Sequence, residues 1–167
     1  MEAIVAVYSD WGIGAGGTQP IALSADRKYF REMTRGACVI VGRRTLADFP
    51  GGKPLPQRVN LILTTRELEI PGAVVVHSPA EAARKARGRT MVIGGASVYR
   101  QMLAWCDTAY VTKVGACPKS DVFFHNLDED PAWQCVDPGQ EAWEDGVSYR
   151  FCVYKRVGRI HAPGVGA

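Results

Sequence analysis

Short apolar runs rich in β-branched residues alternate along this chain with stretches whose apolar positions recur every three or four residues. Runs of the first kind predict strands, and stretches of the second predict amphipathic helices. Strands are expected at residues 3–8, 37–41, 59–64, 73–76, 90–93 and 108–114. Helices are expected at 24–34, 44–49, 79–87 and 96–105, the second ended by Pro50-Gly51-Gly52 and the third opened by a proline. This alternation predicts an α/β fold, with a central, mostly parallel, twisted sheet and helices on both faces. The last third changes character. Segments 132–136 and 147–156, with Gly146 in the turn region between them, predict an antiparallel C-terminal edge. No repeat or linker divides the chain, so residues 1–156 are expected to form a single domain. Residues 157–167, rich in Gly, Ala and Pro, are expected to be a loosely held tail.

One acidic position breaks the pattern. In the helix at 24–34 the apolar stripe is Tyr29, Phe30 and Met33, and counting back along the period reaches Asp26. Arg27, Lys28, Arg31 and Glu32 form the outward face. An inward carboxylate is costly unless something pairs with it, so its pKa is expected to rise. Either Asp26 has a chemical task, or it serves the helix start, where an acid suits the dipole. Ser24 is expected to be the N-cap.

Composition narrows the classes. A hydrophobic fraction of 47%, a charged fraction of 22% and a net charge of +3 are those of an ordinary globular protein. The basic cluster Arg84, Lys85, Arg87 and Arg89 has no interleaved aromatics and reads as a solvated face, so nucleic acid is not an expected partner. Five scattered cysteines without a Cys-x-x-Cys pair, and three separated histidines, suggest neither a disulfide framework nor a metal site. The apolar run 4–8 is too short for a signal peptide, and no stretch is long enough to span a bilayer. A cytoplasmic protein without a membrane partner is the expectation.

Gly12-Ile13-Gly14-Ala15-Gly16-Gly17 satisfies the spacing of a dinucleotide fingerprint, but Thr18-Gln19-Pro20 follows where a helix should open. Residues 12–17 therefore read as a loop, either a flexible surface turn or a mobile lid. Three strand ends fit an anion better. Gly42-Arg43-Arg44-Thr45 ends a strand in glycine and opens a helix with guanidinium groups beside it. Leu63-Thr64-Thr65-Arg66 ends another strand in two hydroxyls and an arginine. Met91-Val92-Ile93-Gly94-Gly95-Ala96-Ser97 ends a third in paired glycines, which permit close approach of a ligand, and opens a helix. Each can also be an ordinary strand end or surface charge. Together, at the carboxyl ends of expected parallel strands, they suggest an elongated, multiply charged cofactor, with NADPH favoured over NADH.

At this point the chain resembles the dihydrofolate reductase family. The matching segments run in order from Met1 to about Arg156: Ile4-Val5-Ala6-Val7, Trp11-Gly12-Ile13-Gly14, Leu23 with Asp26 and Phe30, Val41-Gly42-Arg43 with Thr45, Pro54-Leu55-Pro56 with Arg58, Val92-Ile93-Gly94-Gly95 with Tyr99, and Tyr110-Val111-Thr112. The resemblance implies reduction of 7,8-dihydrofolate by NADPH, with hydride passing from nicotinamide C4 to pterin C6. Asp26 would bind the pterin and favour protonation at N5, and Thr112 would support it. Ile4, Val5, Ile21, Arg27, Phe30, Phe49, Leu55, Arg58 and Ile93 would line the substrate site, Arg58 holding a carboxylate of the glutamate tail. Ala6 and Ile13 would bracket the nicotinamide, Gly14 would also bind the cofactor, and residues 12–19 would form the lid. Gly94, Gly95 and Tyr99 would flank the nicotinamide and pyrophosphate, and Gly42, Arg43, Arg44, Thr45, Leu63, Thr64, Thr65, Arg66, Ala96, Ser97 and Val98 would also bind the cofactor. A monomer is expected.

The chain departs from the family pattern at three places. Ile21 stands where an aromatic residue is usual, Arg27 where an apolar one is, and Ser24 where proline is. Two other readings remain at this stage: a related NADPH-dependent pyrimidine reductase of riboflavin synthesis, and a non-catalytic pterin- or nucleotide-binding homologue.

Overall fold

Alternation along β1 (Glu2–Val7) sends Ala3, Val5 and Val7 to one face of a sheet and Ile4 to the other. The same two-sided burial recurs along β3 (Cys38–Gly42), β4 (Val59–Leu63) and β6 (Thr90–Gly94), which read as near-continuous apolar runs because both faces are covered. In the computed structural model, which describes residues 1–158, β1, β3, β4 and β6 join β5 (Val74–Val76) and β7 (Thr108–Val114) in the parallel order β7-β1-β6-β3-β4-β5. The expected antiparallel edge follows. Strand β11 (Val147–Arg156) pairs with β7, and both β9 (Trp133–Asp137) and β10 (Ala142–Glu144) pair with β11.

Helix α1 (Ser24–Thr34) and the short α2 (Arg43–Ala47) cover the face that carries Ile4, Val39, Ile62 and Ile93. Helices α3 (Pro79–Lys85) and α4 (Ala96–Met102) cover the face of Val5, Ile40, Leu61 and Val92. Tyr29, Phe30 and Met33, the expected stripe, pack α1 on the sheet. Full burial of such a side chain is worth about 1.5–3 kcal/mol, so three half-buried ones anchor a helix too short to be stable alone.

The structure corrects several expectations. Gly12–Gly14 is not loop but a short strand, β2, paired with β8 (Val122–Phe123); only the tip beyond it turns. Strands β8 and β10, two and three residues long, are too short to show a period. The helix expected at 44–49 is Arg43–Ala47, followed by a 3-10 turn at Pro50–Gly52. The third helix stops at Lys85, because Ala86 is already extended. The N-cap of α1 is Leu23, which has no side-chain acceptor, and Ser24 is the first helical residue. In the tail, Val157 donates its N–H to Ala132 O at 2.7 Å. Residues 159–167 lie outside the described residues, so most of the expected tail does too.

Candidate active site

Asp26 is half-buried on the sheet side of α1, and its Oδ1 accepts the hydroxyl of Thr112 at 2.7 Å. Thr112 itself is 1% exposed on β7. Burial pushes the Asp26 carboxyl above the usual carboxylate range, and the Thr112 hydrogen bond opposes that shift without cancelling it. The phenols of Tyr8, Tyr29 and Tyr99 feel the same charge and are themselves pushed up by burial, Tyr29 to about 12.

The other end of α1 holds a guanidinium. Arg58 donates from Nε to Thr34 Oγ1 at 3.0 Å, from Nη2 to Arg31 O at 2.9 Å and from Nη1 to Pro56 O at 2.6 Å. Thr34, fully buried, also donates to Phe30 O at 2.8 Å. Three of the five guanidinium protons are thus placed by the protein, leaving two for a ligand. Thr34 lies eight positions along the helix from Asp26, about 12 Å along the axis. Phe30 lies between them, and Phe49 and Leu55 pack on the same face. The surface suits a flat ring with hydrogen-bonding edges at one end and a carboxylate at the other.

Strand order joins this half to a second. Thr112 of β7 is in register with Ala6 of β1, and β1 is followed in the sheet by β6, β3 and β4. The carboxyl ends of β6, β3 and β4 therefore lie side by side, as expected. They bring Gly94-Gly95, Gly42-Arg43-Arg44-Thr45 and Thr64-Thr65-Arg66 to one edge. The starts of α2 and α4 abut: a Cβ at Gly95 would stand 2.9 Å from Thr45 Oγ1, and one at Gly42 would stand 3.1 Å from Val98 Cγ2. Gly94 has φ +124° in the Gly94–Gly95 cis peptide. Arg44, Thr65 and Arg66 are exposed, and Arg43, Arg44 and Arg66 form no ion pair among the described residues. Small backbone, hydroxyls and free guanidinium groups fit a dinucleotide carrying several phosphates.

Some expected residues sit differently. Val5 is turned to the opposite sheet face, in the core shared with α4, so its side chain faces away from α1. Val98 and Tyr99 are buried rather than open, and the Tyr99 hydroxyl donates to Ile4 O at 2.6 Å, tying α4 to β1. Ile93 and Leu63 are core residues at their strand ends. Arg27 is exposed, and its charge acts on Glu144. Ala96 is half-buried and Ser97 exposed at the α4 start.

The segment expected as a lid is held at tip and stem. Gly16 N–H donates to Asp121 Oδ2 at 2.9 Å, and Asp121 N–H donates to Gly14 O at 2.9 Å. At the stem, Ile21 N–H donates to the Tyr8 hydroxyl at 2.9 Å, and that hydroxyl donates to Ile21 O at 2.8 Å. Ile13 packs on the core beside Trp11. Tyr8, Thr34, Asp121 and Glu144 are not among the residues the sequence pattern points to. All four act through backbone groups or through another side chain, which leaves no periodic signal.

Comparison with known proteins gives a consistent picture. Residues 1–156 match the family model described as dihydrofolate reductase. The dihydrofolate reductase of Heliothis virescens is 33% identical, over 94% of this chain and 97% of its own. That of Bacillus subtilis is 31% identical, over 91% and 92%. Among solved structures, a dihydrofolate reductase from Enterococcus faecalis complexed with NADP(H) and RAB-propyl superposes with TM-score 0.82 at 29% identity, covering 93% of this chain and 95% of that one.

Proposed function

This chain belongs to the dihydrofolate reductase family, and from that premise we propose how its residues carry out the NADPH-dependent reduction of 7,8-dihydrofolate to 5,6,7,8-tetrahydrofolate. When bound, NADPH supplies the hydride that passes from nicotinamide C4 to pterin C6. Everything else falls to the protein, which must align two rings and manage one proton.

Asp26 accepts hydrogen bonds from the 2-amino group and N3 of the pterin. Its raised pKa keeps a carboxyl near the ring that can favour protonation at N5. Thr112 fixes the orientation of that carboxyl. Phe30 and Leu55 pack on the pterin and the aminobenzoyl ring, and Phe49 closes the cleft wall. Arg58, with two protons free, clamps a carboxylate of the glutamate tail. Ala6, beside Thr112, brings the nicotinamide side of the sheet next to the acid. Gly94 and Gly95 admit the cofactor backbone, Thr45, Arg43 and Arg44 take its phosphates, and Thr65 and Arg66 take the 2′-phosphate. The segment over Gly14–Gly17 covers the rings and excludes water.

The observation that carries this reading is the α1 ruler: an acid at one turn and a held guanidinium about 12 Å along the same face. The family match favours this reading over the pyrimidine reductase and the non-catalytic binder. Loss of NADPH absorbance with dihydrofolate tests the assignment, with NADH and the aminopyrimidine of riboflavin synthesis as controls. Turnover with NADPH and dihydrofolate, and much slower turnover with either control, is expected. The proposal extends to a monomer in the cytoplasm: five free thiols suit a reducing compartment. No helix among the described residues is long and apolar enough to cross a membrane.

A further inference from the structure

We propose that Glu144, 118 residues downstream of Asp26, is a positioning residue for the reaction: it clamps the first turn of α1 and so sets where the Asp26 carboxyl stands. The proposal rests on the reading of Asp26 as the pterin-binding acid.

The N-terminus of α1 needs help that its own sequence does not provide. Leu23 is the N-cap, extended at φ −98°, ψ 135°, with no side chain that can accept a hydrogen bond. The first N–H groups of a helix lack intrahelical partners. Glu144 meets them from across the fold. Its Oε2 accepts Ser24 N–H at 2.7 Å, and its Oε1 accepts Ala25 N–H at 2.9 Å and the Ser24 hydroxyl at 2.8 Å. These three bonds hold the Glu144 carboxyl below its usual range, so it is ionised at neutral pH. The next residue along the helix is Asp26.

The clamp has a rigid base. Glu144 ends β10 and pairs with Val147 across Asp145 (φ 50°) and Gly146 (φ 78°), a two-residue turn of the kind that closes a hairpin tightly. Strand β11 of that hairpin pairs with β7, placing Phe151 opposite Thr112. One sheet edge therefore holds α1 twice: Thr112 grips the Asp26 side chain and Glu144 grips the backbone just before it. Beneath both, Leu23 packs with Tyr8 and Val114, with Ile21, Val147 and Tyr149 against them. The groups around the clamped turn are Arg27 and Tyr29 on α1, Tyr8 just after β1, Tyr99 on α4 and Thr112 on β7. Without Glu144 the first turn frays, Asp26 moves and water reaches it.

The test is steady-state kinetics of Glu144→Ala and Glu144→Gln as full-length proteins, with the pH profile of kcat/KM and the Kd for NADPH. A misplaced reacting group costs up to about a hundredfold, so Glu144→Ala is expected to lower kcat/KM for dihydrofolate by about tenfold or more. The limb that titrates Asp26 should move toward the ordinary carboxylate range, while the Kd for NADPH stays within about twofold of wild type. Glu144→Gln, which keeps one acceptor oxygen, should recover part of the loss. Ser24→Pro removes two of the three donors while presetting the first helical φ. In that background Glu144→Ala should cost less. An unchanged kcat/KM and pH profile in folded Glu144→Ala overturns the proposal, as does an equal weakening of NADPH binding, which marks general loosening. Should Glu144→Ala fail to fold, Glu144→Gln and Ser24→Pro carry the same comparison. Asp26→Asn in parallel separates the two claims: wild-type turnover in that variant overturns the reading of Asp26 itself, whatever Glu144 does.

Discussion

Thr112 donates its hydroxyl to Asp26 Oδ1 at 2.7 Å, joining a fully buried strand position to a half-buried acid 86 residues earlier in the chain. This bond favours the ionised acid, while burial disfavours it, and burial is the larger effect. The site therefore holds a carboxyl that ionises late but in a fixed orientation.

Stability should show the cost. The folded-state pKa of Asp26 lies above its unfolded value, so the folded state binds more protons in the window between them. Stability falls as pH rises from about 4 through the raised pKa, and the loss persists above it. Ligand-free Asp26→Asn should therefore melt at a higher temperature than wild type at neutral pH. The two should converge in acid below pH of about 4. Thermal melts across that range check both the sign and the convergence.

Thr112→Val keeps the shape of the side chain and removes the donor. Loss of a hydrogen bond to a buried charged group costs about 1.5–3 kcal/mol. The destabilisation should be largest where Asp26 is ionised and smaller in acid, opposite in sign to the Asn variant. Turnover should fall with it, as the carboxyl loses its orientation. Chemical denaturation at two pH values, with kcat measured alongside, reads out both effects.

Arg58→Leu should raise KM for dihydrofolate by about tenfold to a hundredfold, the equivalent of one or two charge-assisted hydrogen bonds. NADPH affinity should be untouched. A reduced pterin without the glutamate tail should be turned over equally well by variant and wild type. Thr34→Val, which removes the partner of Arg58 Nε, should shift KM in the same direction by less.

Gly95→Ala tests the cofactor half. The new Cβ would fall 2.9 Å from Thr45 Oγ1, closer than real contacts allow, so the Thr45 hydroxyl or the abutting starts of α2 and α4 must shift. The expected result is weaker NADPH binding with Arg58-dependent substrate recognition intact. Fluorescence titration with NADPH measures it.

Much of this architecture was legible in the chain. The parallel core was readable because strands buried on both faces carry long apolar runs, as at Val39-Ile40-Val41 and Leu61-Ile62-Leu63. Asp26 stood out because a 3.6-residue period makes one inward acid conspicuous among Tyr29, Phe30 and Met33. What stayed hidden depends on tertiary pairing. Gly12–Gly14 becomes a strand only because Val122 and Phe123 lie beside it. Ser24 resembled an N-cap, but the acceptor its turn uses comes from Glu144, on a strand of three residues. Thr34 gains its role only from Arg58, which comes from another segment to bond it. Ile4 and Val5, adjacent in a matching motif, part company because successive strand residues face opposite ways.

The most direct test compares wild type with Asp26→Asn in a single experiment at neutral pH, following NADPH oxidation with dihydrofolate after measuring NADPH affinity on the same samples. The variant should bind NADPH as wild type does and lose most of its turnover, at least about a hundredfold for a group that assists proton transfer. Wild-type turnover in the variant would contradict the assignment of that carboxyl to the reacting ring.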